Sequence, residues 1–198
     1  MALQRADVDT ILTGNGTIKF IRPHPTREPD DGGIPGSYVD RVGSGYYPCK
    51  VSVNVPASNI ELRTLPDDTG MDGINVVYQG AFAKFGDIMS PGYMYSDSFA
   101  GCEFFLYRGI AGAATGVHAS KESGKVLDPT DYFRRRGVPN PIWHWQSQGK
   151  IRDTNLMGGW FGAVFLVIDT DRIDCYALGI RNQKVMAVIE HKVFNNWR

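Results

Sequence analysis

Residues 160–194, WFGAVFLVIDTDRIDCYALGIRNQKVMAVIEHKVF, decide the fold. Three mostly apolar segments, 160–169, 173–180 and 185–194, are separated by the polar turns DTDR (169–172) and RNQK (181–184). Runs of this length, rich in Val, Ile, Phe and Tyr and bounded by turn residues, predict three strands in a hairpin meander. The longest clean apolar run, 160–168, falls well short of the ~20 residues a membrane-spanning helix needs.

Upstream, GTIKFIR (16–22), YPCKVSVNV (47–55) and residues 59–65 predict further strands, as do CEFFLYR (102–108) and residues 115–120. INVVYQGAFAKF (74–85) is apolar, and 88–99 is open between an extended segment and a short helix after Pro91. PTDYFRRR (129–136) predicts a helix, with Asp128 as N-cap, Pro129 at the first position and Gly137 as the stop. Residues 23–45, with four prolines and five glycines, predict a long irregular loop. About nine strands and one or two helices imply an α+β, mostly β fold. Its two packed sheets, mixed or antiparallel, are expected to be sandwich-like. Neither repeat nor linker interrupts the chain, so residues 1–198 are expected to form a single domain.

The 198 residues carry 21 Lys+Arg and 21 Asp+Glu, a formal charge of zero. Binding to nucleic acid needs a cationic surplus to neutralise phosphate, so a nucleic-acid partner is not expected. Arg5, Asp7 and Asp9 stand where a signal peptide would need an apolar core. The expectation is a monomer with no membrane partner. It is either cytoplasmic or secreted without a classical signal peptide to act in a target cell's cytosol.

Cys49, Cys102 and Cys175 are odd in number, and no CxxC occurs, which excludes a zinc ribbon or a thioredoxin-type pair. Cys49 and Cys175 lie in alternating strands and read as small core residues. Cys102 follows Ala100-Gly101, opens a strand, and precedes His118 by sixteen residues. If those strands form a hairpin whose turn centres on Ile110, Cys102 faces His118 directly. Opposed side chains have Cβ atoms about 4.5–5.5 Å apart, close enough for thiolate–imidazolium pairing. Gly101 lets a substrate carbonyl approach the backbone, with the N–H groups of Gly101 and Cys102 as oxyanion donors. The bland alternative is a buried thiol beside an unrelated polar residue.

Phe99-Ala100-Gly101-Cys102, with His118 on the next strand, resembles the small-Gly-Cys…His core of the bacterial toxin glutamine deamidases. These are the enzymes of the cytotoxic necrotising factor catalytic domain and Burkholderia lethal factor type. Tyr132-Phe133-Arg134-Arg135 stands where such enzymes carry an aromatic-plus-Arg-Arg segment. Ser96, six residues before Cys102, stands where the lethal-factor type carries a threonine that orients the histidine; Asp97 or Ser98 could supply that role instead, and the necrotising factors use a backbone carbonyl there. Residues 46–137 carry the resemblance, with a longer Cys–His interval and with Ala100 in place of serine. It implies a hydrolase, a toxin or virulence effector that converts a protein glutamine to glutamate. Cys102 would be the nucleophile, His118 the base and Ser96 the third member, without metal or cofactor. The resemblance further implies a protein substrate such as a host signalling GTPase or a translation-initiation helicase.

Two alternatives stay open: another Cys–His acyl-transfer enzyme, such as a transglutaminase or thiol protease, and a non-enzymatic β-rich protein-binding module. His24, His144 and His191 lack metal-ligand spacing. Arg134–Arg136 read as cations at a helix C-terminus. The loop 23–45 and Trp143-His144-Trp145 are candidates for substrate contact. Tyr107-Arg108-Gly109 is similar to the arginine box of ADP-ribosyltransferases, but Glu190 stands alone where that family needs a glutamate pair.

Overall fold

The computed structural model describes residues 4–22, 41–79, 82–122, 125–148, 150 and 159–198. Helix α1 (Arg5–Thr13) leads into β1 (Thr17–Ile21), followed by β2 (Val42–Ser44), β3 (Tyr46–Asn54) and β4 (Asn59–Thr64). Next come β5 (Gly73–Val76), β6 (Ala83–Ile88) and β7 (Gly92–Phe99). A single 3-10 turn, Ile110–Gly112, joins β8 (Glu103–Arg108) to β9 (Ala114–Ala119). After the short pair β10 (Lys121–Glu122) and β11 (Lys125–Val126) lie α2 (Thr130–Arg134) and β12 (Trp143–Gln146). The chain closes with β13 (Phe161–Ile168), β14 (Arg172–Arg181) and β15 (Lys184–Asn195).

The meander is antiparallel as expected, with Phe165 opposite Tyr176 and Tyr176 opposite His191. It forms part of a closed barrel in the order β1-β15-β14-β13-β7-β5-β3-β4. Two of the barrel's neighbour pairs, β1 with β4 and β5 with β7, are parallel. Eight strands leave an interior that side chains can fill. Here Tyr47, Cys49, Val51, Ile60, Leu62, Tyr93, Tyr95, Phe165 and Tyr176 fill it. Helix α1 adds Val8, Ile11 and Leu12 to the same cluster. No element was expected over residues 5–13, whose only apolar positions are these and Ala6.

The second sheet, ordered β12-β8-β9-β6-β2, packs on the outside of the barrel. Its inward residues Phe104, Leu106, Ala114, Trp143 and Trp145 meet Ile74, Val76, Met94, Val164, Leu166, Cys175 and Ala177 from the barrel wall. Strands β13 and β14 are therefore buried on both faces, which accounts for the unbroken apolar run of β13 and for a β14 whose one buried charge is Asp174. Each fully buried Val, Leu, Ile or Phe contributes about 1.5–3 kcal/mol. On the far face of the second sheet, Phe105, Tyr107, Val117 and Ala119 pack under Leu127, Phe133 and Val138.

The mostly-β, few-helix, two-sheet reading matches this architecture, with the refinement that one sheet closes on itself. Residues 92–99 settle the open segment as a strand. Residues 143–146 form an edge strand, burying both tryptophans and leaving His144 outward. That corrects the view of this cluster as a substrate-contact surface. Helix α2 is shorter than expected, and Asp128 Oδ1 accepts the Thr130 N–H at 2.9 Å. Of the loop 23–45, residues 23–40 lie outside the described residues, and β2 covers its last part.

The two layers approach most tightly at Gly116, where a Cβ would lie 2.1 Å from Met94 Sδ and 2.8 Å from Phe104 Cζ. Gly116→Ala is expected to destabilise the protein by about 1–3 kcal/mol, read as a lowered urea midpoint, because neither layer has room to yield.

Candidate active site

The chain leaves the barrel at the end of β7 and enters the second sheet at β8, so residues 100–102 form the crossing between layers. Two positive φ angles turn it: Ser98 at +66° and Gly101 at +122°. The second is a conformation that glycine adopts at little cost, so Gly101 is required by the backbone. Its N–H donates to Ser147 Oγ at 2.9 Å, while Ser147 Oγ–H donates to the Cys102 carbonyl at 2.8 Å. One buried hydroxyl at the end of β12 thus fastens both sides of the crossing. The Gly101 N–H, expected as an oxyanion donor, is already engaged.

The hairpin between β8 and β9 forms as expected, but two positions out of the expected register. Phe104, not Cys102, is opposite His118. Gly109 N–H bonds to the Ala113 carbonyl at 2.8 Å, and Ala111 and Gly112 take positive φ. The turn therefore centres on Ala111, one residue later than expected, and every opposed pair shifts by two. Parity is preserved, so Cys102 and His118 still share the face toward the barrel. They are diagonal neighbours, a relation that separates residues by about 7–8 Å instead of the direct spacing.

Ser96 and His118 are brought together. Ser96, on β7, points out of the barrel into the inter-sheet layer, with its Oγ 2.9 Å from His118 Nδ1. The same hydroxyl donates to the Val76 carbonyl at 2.8 Å. A hydroxyl has one proton and a carbonyl only accepts, so the proton between Ser96 and His118 belongs to Nδ1. The network thereby selects the tautomer whose Nε2 carries a lone pair. Nε2 is buried with no hydrogen-bond partner, Cys102 Sγ included.

Phe99 lies flat on the imidazole, with ring centroids 3.9 Å apart and planes 5° apart. Tyr78, itself half-exposed, approaches the same ring at 5.3 Å. Lys84 on β6 is its other cross-strand partner and is also buried. His118 is 0% exposed, and this burial holds its pKa down to about 3. Burial likewise raises the Cys102 thiol above its ordinary value, partly offset by the Lys121 and Ala100 backbone groups. Both groups are therefore neutral at pH 7, a thiol near an imidazole instead of the expected ion pair.

All three cysteines are free. Cys49 and Cys175 are wholly buried, in the barrel interior and the inter-sheet layer respectively, as their strands suggested. His144 stacks on Phe105 and bonds to Glu103 at 2.6 Å on the outer face, while His191 stacks on Tyr176 and reaches Asp174. Arg134 is exposed and ion-pairs with Asp131 on α2, and Arg136 lies 3.5 Å over the Tyr132 ring. His24 lies outside the described residues. Tyr78, Lys84, Ser120 and Ser147 were not foreseen: Lys84 reaches the site by strand pairing, and the other three from segments just past the ends of strands.

A histidine whose folded-state pKa lies below its unfolded value of about 6.5 stabilises the fold fully above pH 6.5. That stability is lost as the pH falls toward 3. Wild-type stability is expected to drop by up to about 1.4 kcal/mol per pH unit between pH 6.5 and 4.5. In His118→Asn, urea unfolding over the same interval should be flatter. Separately, Tyr78→Ala is expected to open the imidazole to solvent and to raise the rate of Cys102 alkylation by iodoacetamide at least about tenfold. Tyr78→Phe should keep the wild-type rate.

No family model, curated protein or solved structure matches the chain, so its function is inferred from the arrangement of these side chains.

Proposed function

We propose that the protein is a cysteine-dependent amide hydrolase that deamidates a glutamine side chain of a protein substrate. The observation that carries this reading is the Val76–Ser96–His118 chain of hydrogen bonds, which fixes the Nδ1–H tautomer and leaves Nε2 as a base. An orienting hydroxyl behind a histidine, with a thiol on the same strand face, is the base–orienter relation of nucleophilic hydrolases.

In the reaction, Cys102 Sγ attacks the carboxamide carbon as His118 Nε2 accepts the thiol proton. A general base works best with a pKa near the operating pH, so the transfer requires substrate to change the buried surroundings that hold His118 down and the Cys102 thiol up. Collapse of the tetrahedral adduct breaks the C–N bond, and Nε2–H protonates the departing nitrogen to give ammonia and a thioester. Water, deprotonated by His118, then attacks the thioester carbon; the products are a carboxylate and the free thiol. Cys102 and His118 must close the diagonal gap between them, and substrate must displace the cover over the imidazole.

The burial of His118 and the raised Cys102 thiol favour a second reading, a β-rich binding module in which both residues are packing. A eukaryotic lysate treated with wild-type protein or with Cys102→Ser separates the two. Deamidation predicts wild-type-dependent conversion of particular glutamines to glutamate with ammonia release. Crosslinked products indicate transglutamination and new termini proteolysis, whereas identical peptide maps leave the binding module standing. On the deamidase reading the protein acts in another cell's cytosol, as a toxin or effector.

A further inference from the structure

The pairing of β8 with β9 runs from Arg108 opposite Ala114 to Glu103 opposite Ala119. One more step sets Cys102 across from Ser120. Ser120 lies one residue past β9, and its N–H bond to the Phe82 carbonyl extends the β9–β6 pairing by a step; continued alternation sets it on the face of His118, toward the barrel. Ser120 is fully buried, and its backbone is fully used. Its N–H donates to the Phe82 carbonyl at 3.1 Å, and its carbonyl accepts from Leu127 N–H at 3.1 Å. Its hydroxyl, by contrast, has no partner. Two unpartnered polar atoms, His118 Nε2 and Ser120 Oγ, thus lie two residues apart on one strand face, next to the Cys102 position.

An uncompensated hydroxyl in a packed layer is a cost that an alanine would remove. Its retention beside the thiol points to a bound partner that uses it. Nε2 holds the single lone pair that takes the Cys102 proton, so what Ser120 adds beside it is a donor, Oγ–H. A substrate carbonyl oxygen is the complement of that donor.

Resting on the reading of Cys102 and His118 as an amide-hydrolysing pair, we propose that Ser120 is a further catalytic residue, whose hydroxyl donates to the substrate carbonyl oxygen. As the Sγ–C bond forms, the carbonyl π electrons move onto oxygen, and Ser120 Oγ–H stabilises that charge without giving up its proton. This supplies the donation that the Gly101 N–H, engaged with Ser147, does not provide. The substrate class remains the side-chain carboxamide of the proposed function, on which this assignment rests.

The test compares wild type, Ser120→Ala, Ser120→Thr and Cys102→Ser on eukaryotic lysate protein. Site-by-site amide conversion, Cys102 alkylation by iodoacetamide and the urea midpoint are read in parallel. Ser120→Ala is expected to slow conversion about 10²–10³-fold at every converted site. Its alkylation rate should stay within about threefold of wild type and its urea midpoint should be unchanged or raised, as loss of an orphaned polar group predicts. Ser120→Thr should restore most of the conversion rate. Wild-type conversion by Ser120→Ala overturns the role of Ser120 and leaves the deamidase reading intact, as does a loss of conversion that tracks a fallen midpoint. Equal conversion by wild type and Cys102→Ser overturns that reading and this inference with it.

Discussion

Two-sided burial of β13 and β14 is the constraint on which the rest of the molecule depends. One face of each strand completes the barrel interior, through Phe165, Val167, Tyr176 and Leu178. The other forms the floor on which the second sheet rests, through Val164, Leu166, Cys175 and Ala177. A strand with two apolar faces is unstable against water on either side, so closing the barrel alone would leave a large apolar surface exposed. The five-stranded sheet is the cover that surface demands.

The candidate site follows from that arrangement. Covering a barrel with a second sheet requires the chain to pass from one layer to the other, and it does so at residues 100–102, where Gly101 supplies the turn and Ser147 fastens it. Polar groups carried into a dry layer must be paired or be held neutral. Ser96, Val76 and His118 meet the first requirement on the Nδ1 side, and the depressed pKa of His118 meets the second. The site is therefore electrically quiet at rest, with its basicity held in a single lone pair.

Barrel and site also compete. Gly116, Phe99 and Phe104 pack the layer tightly around His118, and this closeness both aligns the imidazole and shuts it from solvent. Ser120 is the clearest sign of the conflict, a buried hydroxyl that packing alone would replace by a methyl group. Proteins give up stability of this kind at sites where chemistry uses the strained or unpaired group.

Much of the fold was legible in the sequence because strand signals are local. Period-two alternation at residues 47–55, the uncharged run at 160–168 and the turns at 169–172 and 181–184 determine strands whatever lies beside them. Ser96 was named beside His118 only by the family resemblance, and the two meet at 2.9 Å. What only tertiary structure decided was everything set by pairing across the chain. Barrel closure joins β1 to β15, ends of the chain that no local pattern connects. The register of β8 with β9 hung on whether the turn centred on Ile110 or Ala111, a choice made by backbone dihedrals at Ala111 and Gly112. That one-residue difference set Phe104 across from His118 and made Cys102 a diagonal neighbour of the histidine, because each residue's displacement in a turn moves its strand partners by two.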